Sequence, residues 1–535
     1  MKQISISRIK LLAIVFASVG LASENLAFAQ TALMSLQEQP ETEIVELDGK
    51  KVELRRDQIV ELELSGAKAP LPALKHELFP NNYSLKRGDA ATFYHRAINR
   101  LHQLRRSKNP RQNQEKRDRG EIVPIADQNY GELTEYLNKK WSPEELRELK
   151  KVIELEGSGI FEELRTATQL RDCDWGFDVV IGKPLAEYVG FLLPEMQELR
   201  GITRYLALKA QLEIVEGNFD SAIETMRTGF KLAKTTEETR FLVCSLIGIA
   251  CSSIMYDQVQ NLVGAEGSPN LYWALETLPS PLISVKPAFV AELEFIRNGA
   301  GLWFLNEPEK KNLSAEQWSE KFDEDIQNLI VTLGIINDQN QIQGQLGFWA
   351  LRAYPIAKRE LVEWGYDKER VEKMPVAQVI AIHQSRILKI IADELLKYQN
   401  MEYPIIEDKL AEIDNSILRP IGVGEKYPPT KYRELLPIAS MLTPAITAVL
   451  KAELRLKRKR RFYQTVEAIR LHIDETGEMP SKLEEITIVP VPKSPETGKP
   501  FRYRKIEGAF ELWEMHPDGS GIFAASRVLR LKKRK

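Results

Sequence analysis

Residues 206–232 read LALKAQLEIVEGNFDSAIETMRTGFKL, and the fold follows from how this stretch is divided. Leu206, Ala210 and Ile214 recur at four-residue spacing, which places them along one stripe of a helix. Gly217-Asn218 interrupts that stripe, because glycine enters backbone regions that end a helix at little cost. Phe219, Ala222, Ile223, Met226 and Phe230 then space out a second helix. Small side chains at Ala210 and Ala222 allow two antiparallel helices to approach closely, with Phe219 filling the turn. The spacing therefore predicts a helical hairpin.

The same periodicity extends in both directions, from about Asp89 to Tyr398. Phe93, Ala97, Ile98 and Leu101 form one apolar face. Ser142-Pro143-Glu144-Glu145 supplies an N-cap serine, a proline at the first helical position and a glutamate that closes a capping box. Phe241–Tyr256 is a 16-residue apolar stretch, short for a membrane span and read as a buried central helix. Pro279, Pro281 and Pro287 are expected to end the next helix, residues 306–322 to form a polar connector, and a further helical block to run from Asp323. That block is broken near Pro355 and at Met374-Pro375.

Both ends differ from this helical middle. Ile44–Leu47 and Lys50–Leu54 flank Asp48-Gly49, a strong two-residue hairpin signature, and Ile59–Leu64 is expected to add a third strand to that hairpin. Leu435–Leu471 reads as a long helix kinked at Pro437 and Pro444. Phe501–Arg504, a turn at Glu507-Gly508 and Phe510–Glu514 read as a strand pair after it. The expected fold is mainly α: packed helical hairpins with a small N-terminal β unit and a C-terminal α/β module. The expected boundaries are a linker and β-hairpin unit over 30–72, a helical domain over 73–400 and a linker over 401–434. The C-terminal module follows over 435–525, with a basic tail over 526–535.

The chain has 535 residues, 43% apolar and 28% charged, with 74 Lys+Arg against 76 Asp+Glu. These proportions exclude wholesale disorder, a collagen-like fibre and a disulfide-dense scaffold. A net charge of −2 is also far from that of a dedicated nucleic-acid binder. Residues 105–119 carry seven basic side chains but no interleaved aromatics, so bases would have no platform on which to stack.

The first 29 residues read as an export signal. Lys2, Arg8 and Lys10 precede the apolar run Leu11–Ala22, and Ala27-Phe28-Ala29 sets a cut before Gln30. A retained anchor is the alternative, but the run is shorter than the ~20 residues a transmembrane helix needs. Cleavage leaves 71 basic against 75 acidic side chains, a net of −4. The expected destination is the periplasm or the cell surface. Of the three cysteines, Cys244 and Cys251 lie seven apart in one helix, about 10 Å along its axis. They are too distant to bridge, so at most one bond, from Cys173 to one of them, could form.

Three resemblances add to this reading. Ala210, Gly217, Phe219, Ala222 and Met226 resemble one tetratricopeptide repeat, without its tryptophan and closing proline. A second copy at about 34 residues is not evident, and a stable array needs about three, so a single hairpin embedded in a larger helical domain is expected. Pro72–Lys75, Gly88–Tyr94, Cys173–Trp175, Leu193–Arg200, Pro269–Trp273 and Met374–Val376 resemble landmarks of large exported planctomycetal-type bacterial proteins without assigned activity. Val466–Leu471, Thr476–Pro480, Pro492–Tyr503 and Phe510–Trp513 through Asp518-Gly519 resemble the soluble domain of a pseudopilin. In that family the last loop is similar to a calcium site, but His516–Gly521 offers one carboxylate, too few for a hard cation. The resemblance implies a module reused for packing or recognition.

No motif for a metal, a cofactor or a nucleophile elbow occurs; His95 and His102 are about 10 Å apart along a helix, too far to share one zinc. Asp172 and Asp174 beside Trp175 have the composition of a glycosidase acid–base pair, and equally of a loop capping its own amides. His383 lies in an apolar run and reads as a packed imidazole rather than a general base. The five consecutive basic residues Lys457, Arg458, Lys459, Arg460 and Arg461 point all round a helix at ~100° each. That turn is expected to lie largely in water, and it is the candidate binding surface for an acidic polymer or envelope protein. The expected function is that of an exported structural or interaction protein. The alternative is a cell-envelope hydrolase using dispersed acidic residues near Asp172, Asp174 or His383.

Overall fold

The computed structural model describes residues 42–47, 50–55, 59–106, 136–137, 141–177, 194–298, 301–332, 353–402, 405–409, 412, 446–513 and 528–534. The segment expected to direct export, most of the basic 105–119 stretch, nearly all of the expected 401–434 linker and the Asp518-Gly519 loop lie outside these residues. Over the described residues the protein is mainly helical, with a small mixed sheet.

Helix α1 (Ala91–Arg106) lies against α2 (Pro143–Thr168). Ala97, Ile98 and Leu101 are buried as the periodicity requires, but Tyr94 rather than Phe93 completes the inward face. Ser142 caps α2 as its sequence predicts: its Oγ accepts the Glu145 amide at 3.2 Å, and Glu145 accepts the Ser142 amide at 2.9 Å. Helices α3 (Pro194–Val215) and α4 (Phe219–Lys234) form the hairpin, with Gly217 at φ +75° in the turn. Leu206, Ala210, Ala222, Met226 and Phe230 are all buried between and behind the pair.

Helix α5 (Leu242–Val263) is long and apolar enough to cross a membrane by length and composition. Here it packs on both α3 and α4. Gly248 lets it approach closely, since a Cβ there would meet the Ala233 carbonyl at 2.9 Å. A helix apolar all round is stable in water only when enclosed in this way. Helix α6 (Tyr272–Glu276) follows after a loop.

Pro287 does not end a helix; it lies in the first turn of α7 (Lys286–Arg297), where its missing N–H costs nothing. The expected polar connector is also partly helical. Ser314 accepts the Gln317 amide at 3.2 Å and Gln317 returns the bond to the Ser314 amide, so α8 (Ala315–Thr332) starts eight residues before Asp323. Trp318 and Phe322 are buried on it. Both α7 and α8 pack on α9 (Val376–Leu396), and a helix over residues 353–363 precedes α9.

Strands β1 (Thr42–Leu47) and β2 (Lys50–Arg55) pair antiparallel, with Leu47 opposite Lys50, as a two-residue turn demands. Strand β3 (Ile59–Leu64) does not extend that hairpin. It pairs in parallel with β8 (Val528–Lys533) in a four-stranded sheet of order β3-β8-β7-β6. The remaining members are β6 (Arg502–Ile506) and β7 (Ala509–Trp513), joined by a turn with Gly508 at φ +69°. The basic tail is therefore a central strand: Val528, Leu529 and Leu531 are each 0% exposed, and only Lys532 and Lys533 of the strand face solvent. Two further short strands, β4 (Lys86–Asp89) and β5 (Leu170–Asp172), pair in parallel beside α1 and α2.

The chain also divides differently from the expected boundaries. One compact unit takes the described residues within Pro40–Trp175, Pro194–Val285 and Lys451–Lys535. The other takes those within Gly176–Leu193 and Lys286–Leu450. The α3–α4 hairpin and the C-terminal strands thus belong to one unit, and α10 (Ile446–Thr476) is mostly buried from Ala452 to Ile473.

Candidate functional site

The basic quintet lies on α10, and it is not a solvated binding face. Arg458 and Arg460 side chains are 8% and 6% exposed. Lys457 pairs with Glu453 at 2.7 Å, Arg458 with Glu496 at 2.8 Å, and Lys459 with Asp257 at 2.7 Å. Arg460 donates to the carbonyls of Glu276, Leu278 and Pro279 at 2.6, 3.0 and 3.2 Å. Those carbonyls close α6, where a cation is favoured. Arg461 is held by Glu276 and Gln464. Arg458 and Arg460 are buried while Lys457, Lys459 and Arg461 stay half-buried, and carboxylates or carbonyls meet each of the five.

Further along the same helix, Arg470 and Glu467 are both 0% exposed and 3.1 Å apart. Arg470 also donates to the carbonyls of Ser268 and Ser65 and to Ser268 Oγ, and Glu467 accepts from Asn270 at 2.7 Å. Burial raises the Glu467 carboxyl above its ordinary value, and Arg470 opposes this. This pair ties α10 to the loop before α6 and to the chain after β3. The Val466–Leu471 stretch is thereby internal to its unit.

Asp172 and Asp174 are exposed on and just after β5. The carboxylate that works structurally there is Asp89, whose Oδ1 accepts the amides of Ala91 at 3.0 Å and Asp174 at 2.9 Å. One amide of that loop is thus capped by a residue from β4. Trp175 stacks on Tyr94 at 5.7 Å and donates to the Thr235 carbonyl at 3.2 Å.

His383 belongs to the other unit. It is 0% exposed, its Nε2 lies 2.7 Å from Glu360, and it stacks on Trp364 at 4.8 Å. Burial lowers its pKa, with Glu360 pulling the other way. Its Nδ1 has no hydrogen-bond partner. The arrangement is that of a packed, neutral imidazole oriented by one carboxylate.

Cys173, Cys244 and Cys251 are all buried and no disulfide joins them. Burial, with Asp89 adding its charge, pushes the Cys173 thiol up. Lys231, on the last turn of α4, was not signalled by any motif, because its setting is made by three segments distant in sequence. Among the described residues no group of three or more His, Cys, Asp or Glu is placed to hold a metal. Comparison of the chain with protein-family models, curated proteins and solved structures found no match.

Proposed function

We propose that this is an exported structural or interaction protein of the bacterial cell envelope. One observation carries the reading. The segment after β3 runs along α4, with Glu77 near Arg227 and Phe79 under Lys231. The same segment holds Leu71, Leu74 and Tyr83 out in water at 92%, 53% and 97% exposure. Three large apolar side chains left exposed on one short segment make that segment a candidate contact surface. The support is the stack of α1 with α2 and α3 with α4, and α5 packed across the latter pair. On this reading the single tetratricopeptide-like hairpin is part of the scaffold, and the pseudopilin-like stretch is a packing module, consistent with the enclosure of α10.

The test has two arms. Residues 1–40 fused to a periplasm-dependent reporter should give activity, and the mature chain should begin at Gln30. A photo-crosslinking side chain at Leu71 or Tyr83 should capture an envelope protein or wall polymer in living cells, and Leu71→Ser with Tyr83→Ser should abolish the effect of that contact. Turnover of wall polysaccharide by the purified protein, without any crosslink, would instead establish the hydrolase.

A further inference from the structure

Four basic side chains are less than one-tenth exposed among the described residues: Lys231, Arg458, Arg460 and Arg470. The three arginines are held by carboxylates or carbonyls. Lys231 is 7% exposed and has no hydrogen bond or ion pair; its ammonium lies over the Phe79 ring at 5.8 Å. Burying an amine without a partner is costly, and a fold retains such a group where it has a use or where the neutral form is accessible.

The groups facing Lys231 come from each neighbouring element. Cys173 and Asp172 come from the β5 end, Glu238 from the turn after α4, and Lys234 from α4 itself. Asp172, Glu238 and Cys173 act on it electrostatically, and neither carboxylate forms an ion pair with it. The result is a mostly desolvated amine, 7% exposed as a residue, with an aromatic floor and acidic groups beyond ion-pair distance.

We propose that Lys231 is a reactive amine site that condenses with short-chain aldehydes. The Nζ lone pair attacks the carbonyl carbon and forms the C–N bond, while the C=O π pair moves to oxygen. The two amine protons leave with that oxygen as water, giving an imine in which carbon and nitrogen share the double bond. No oxidant or reductant is consumed. Desolvation supports this chemistry because it favours the neutral, nucleophilic amine, the means by which buried lysines form Schiff bases elsewhere.

The experiment uses the full mature chain with glycolaldehyde and cyanoborohydride at pH 7.5, the reductant serving only to trap the imine, followed by peptide mass mapping over time. Lys231 should be modified at least about tenfold faster than the solvent-facing Lys68 and Lys75. Its advantage should shrink as pH rises to 10, where exposed amines also become neutral. Modification of Lys231 at or below the rate of Lys68 and Lys75 at pH 7.5 would overturn the proposal. Lys231→Arg should remove the fast-labelling site while keeping the melting temperature. If that variant unfolds, the site-resolved rates on the native chain still decide the question.

Discussion

Deleting residues 528–535 removes what reads as a charged tail and is in fact the strand between β3 and β7. Val528, Leu529 and Leu531 are each fully buried. At about 1.5–3 kcal/mol per buried aliphatic side chain, their loss removes about 5–9 kcal/mol. That is comparable with the whole net stability of a typical domain, about 5–15 kcal/mol. The deletion also strips β3 of its ladder partner from Ile59 to Leu64 and β7 of one of its two. The unit containing the hairpins and α10 should therefore fail to fold, with loss of the cooperative melt by circular dichroism and rapid proteolysis within 194–285. Leu531→Ala grades the same effect. It opens a cavity between Leu62 and Phe510, its register partners, and should cost about 2–5 kcal/mol, or a fall in Tm of roughly 5–15 °C. Lys532→Ala, which loses only an exposed pair with Glu61, should change stability by less than about 1 kcal/mol. A truncated chain that melts within about 1 °C of the intact one would refute the central placement of β8.

Glu467→Ala leaves the Arg470 guanidinium buried without its counter-ion and should cost about 3–5 kcal/mol in a denaturant melt; a loss below about 1 kcal/mol would show that the carbonyls of Ser268 and Ser65 suffice. Arg458→Gln together with Arg460→Gln should lower Tm while leaving retention on a polyanion column unchanged, and loss of retention at constant Tm would restore the quintet as a binding face. His383 stays below its ordinary value of 6.5 because burial disfavours the imidazolium. The unfolded chain takes up that proton first, so the contribution to stability is complete above about pH 6.5 and falls as pH drops. The loss should be at most about 1.4 kcal/mol per pH unit and should vanish in His383→Phe; an unaltered pH slope in that variant would exclude His383 as its source.

Much of the architecture was legible because its signals are local. The Gly217 break, the Ser142 capping box and the Asp48-Gly49 hairpin each depend on residues within a few positions of one another. So does the apolar continuity of α5, which leaves enclosure as its only stable setting in water. The Ser314 cap was equally local, but the charged residues that follow it hid the buried Trp318 and Phe322 of α8. His383 as a packed imidazole was also readable, since its own neighbours in sequence are apolar, although its partner Glu360 was not.

What no window of sequence carried was pairing at a distance. Val528–Lys533 has too few apolar residues to declare itself a core strand until β3 and β7 flank it, and β3 looked like the next strand of the hairpin beside it. Lys457–Arg461 looked solvated because charge run and helical pitch say nothing of Asp257, Glu276 or Glu496. The sequence by itself determined most of the helices and the β1–β2 hairpin, since propensity, periodicity and caps act over a few residues. Only the tertiary structure decided that the tail is core, that every residue of the basic run has a partner and that Lys231 stands without a counter-ion. The free energy of a buried charge or a strand edge depends on which distant groups the fold brings against it.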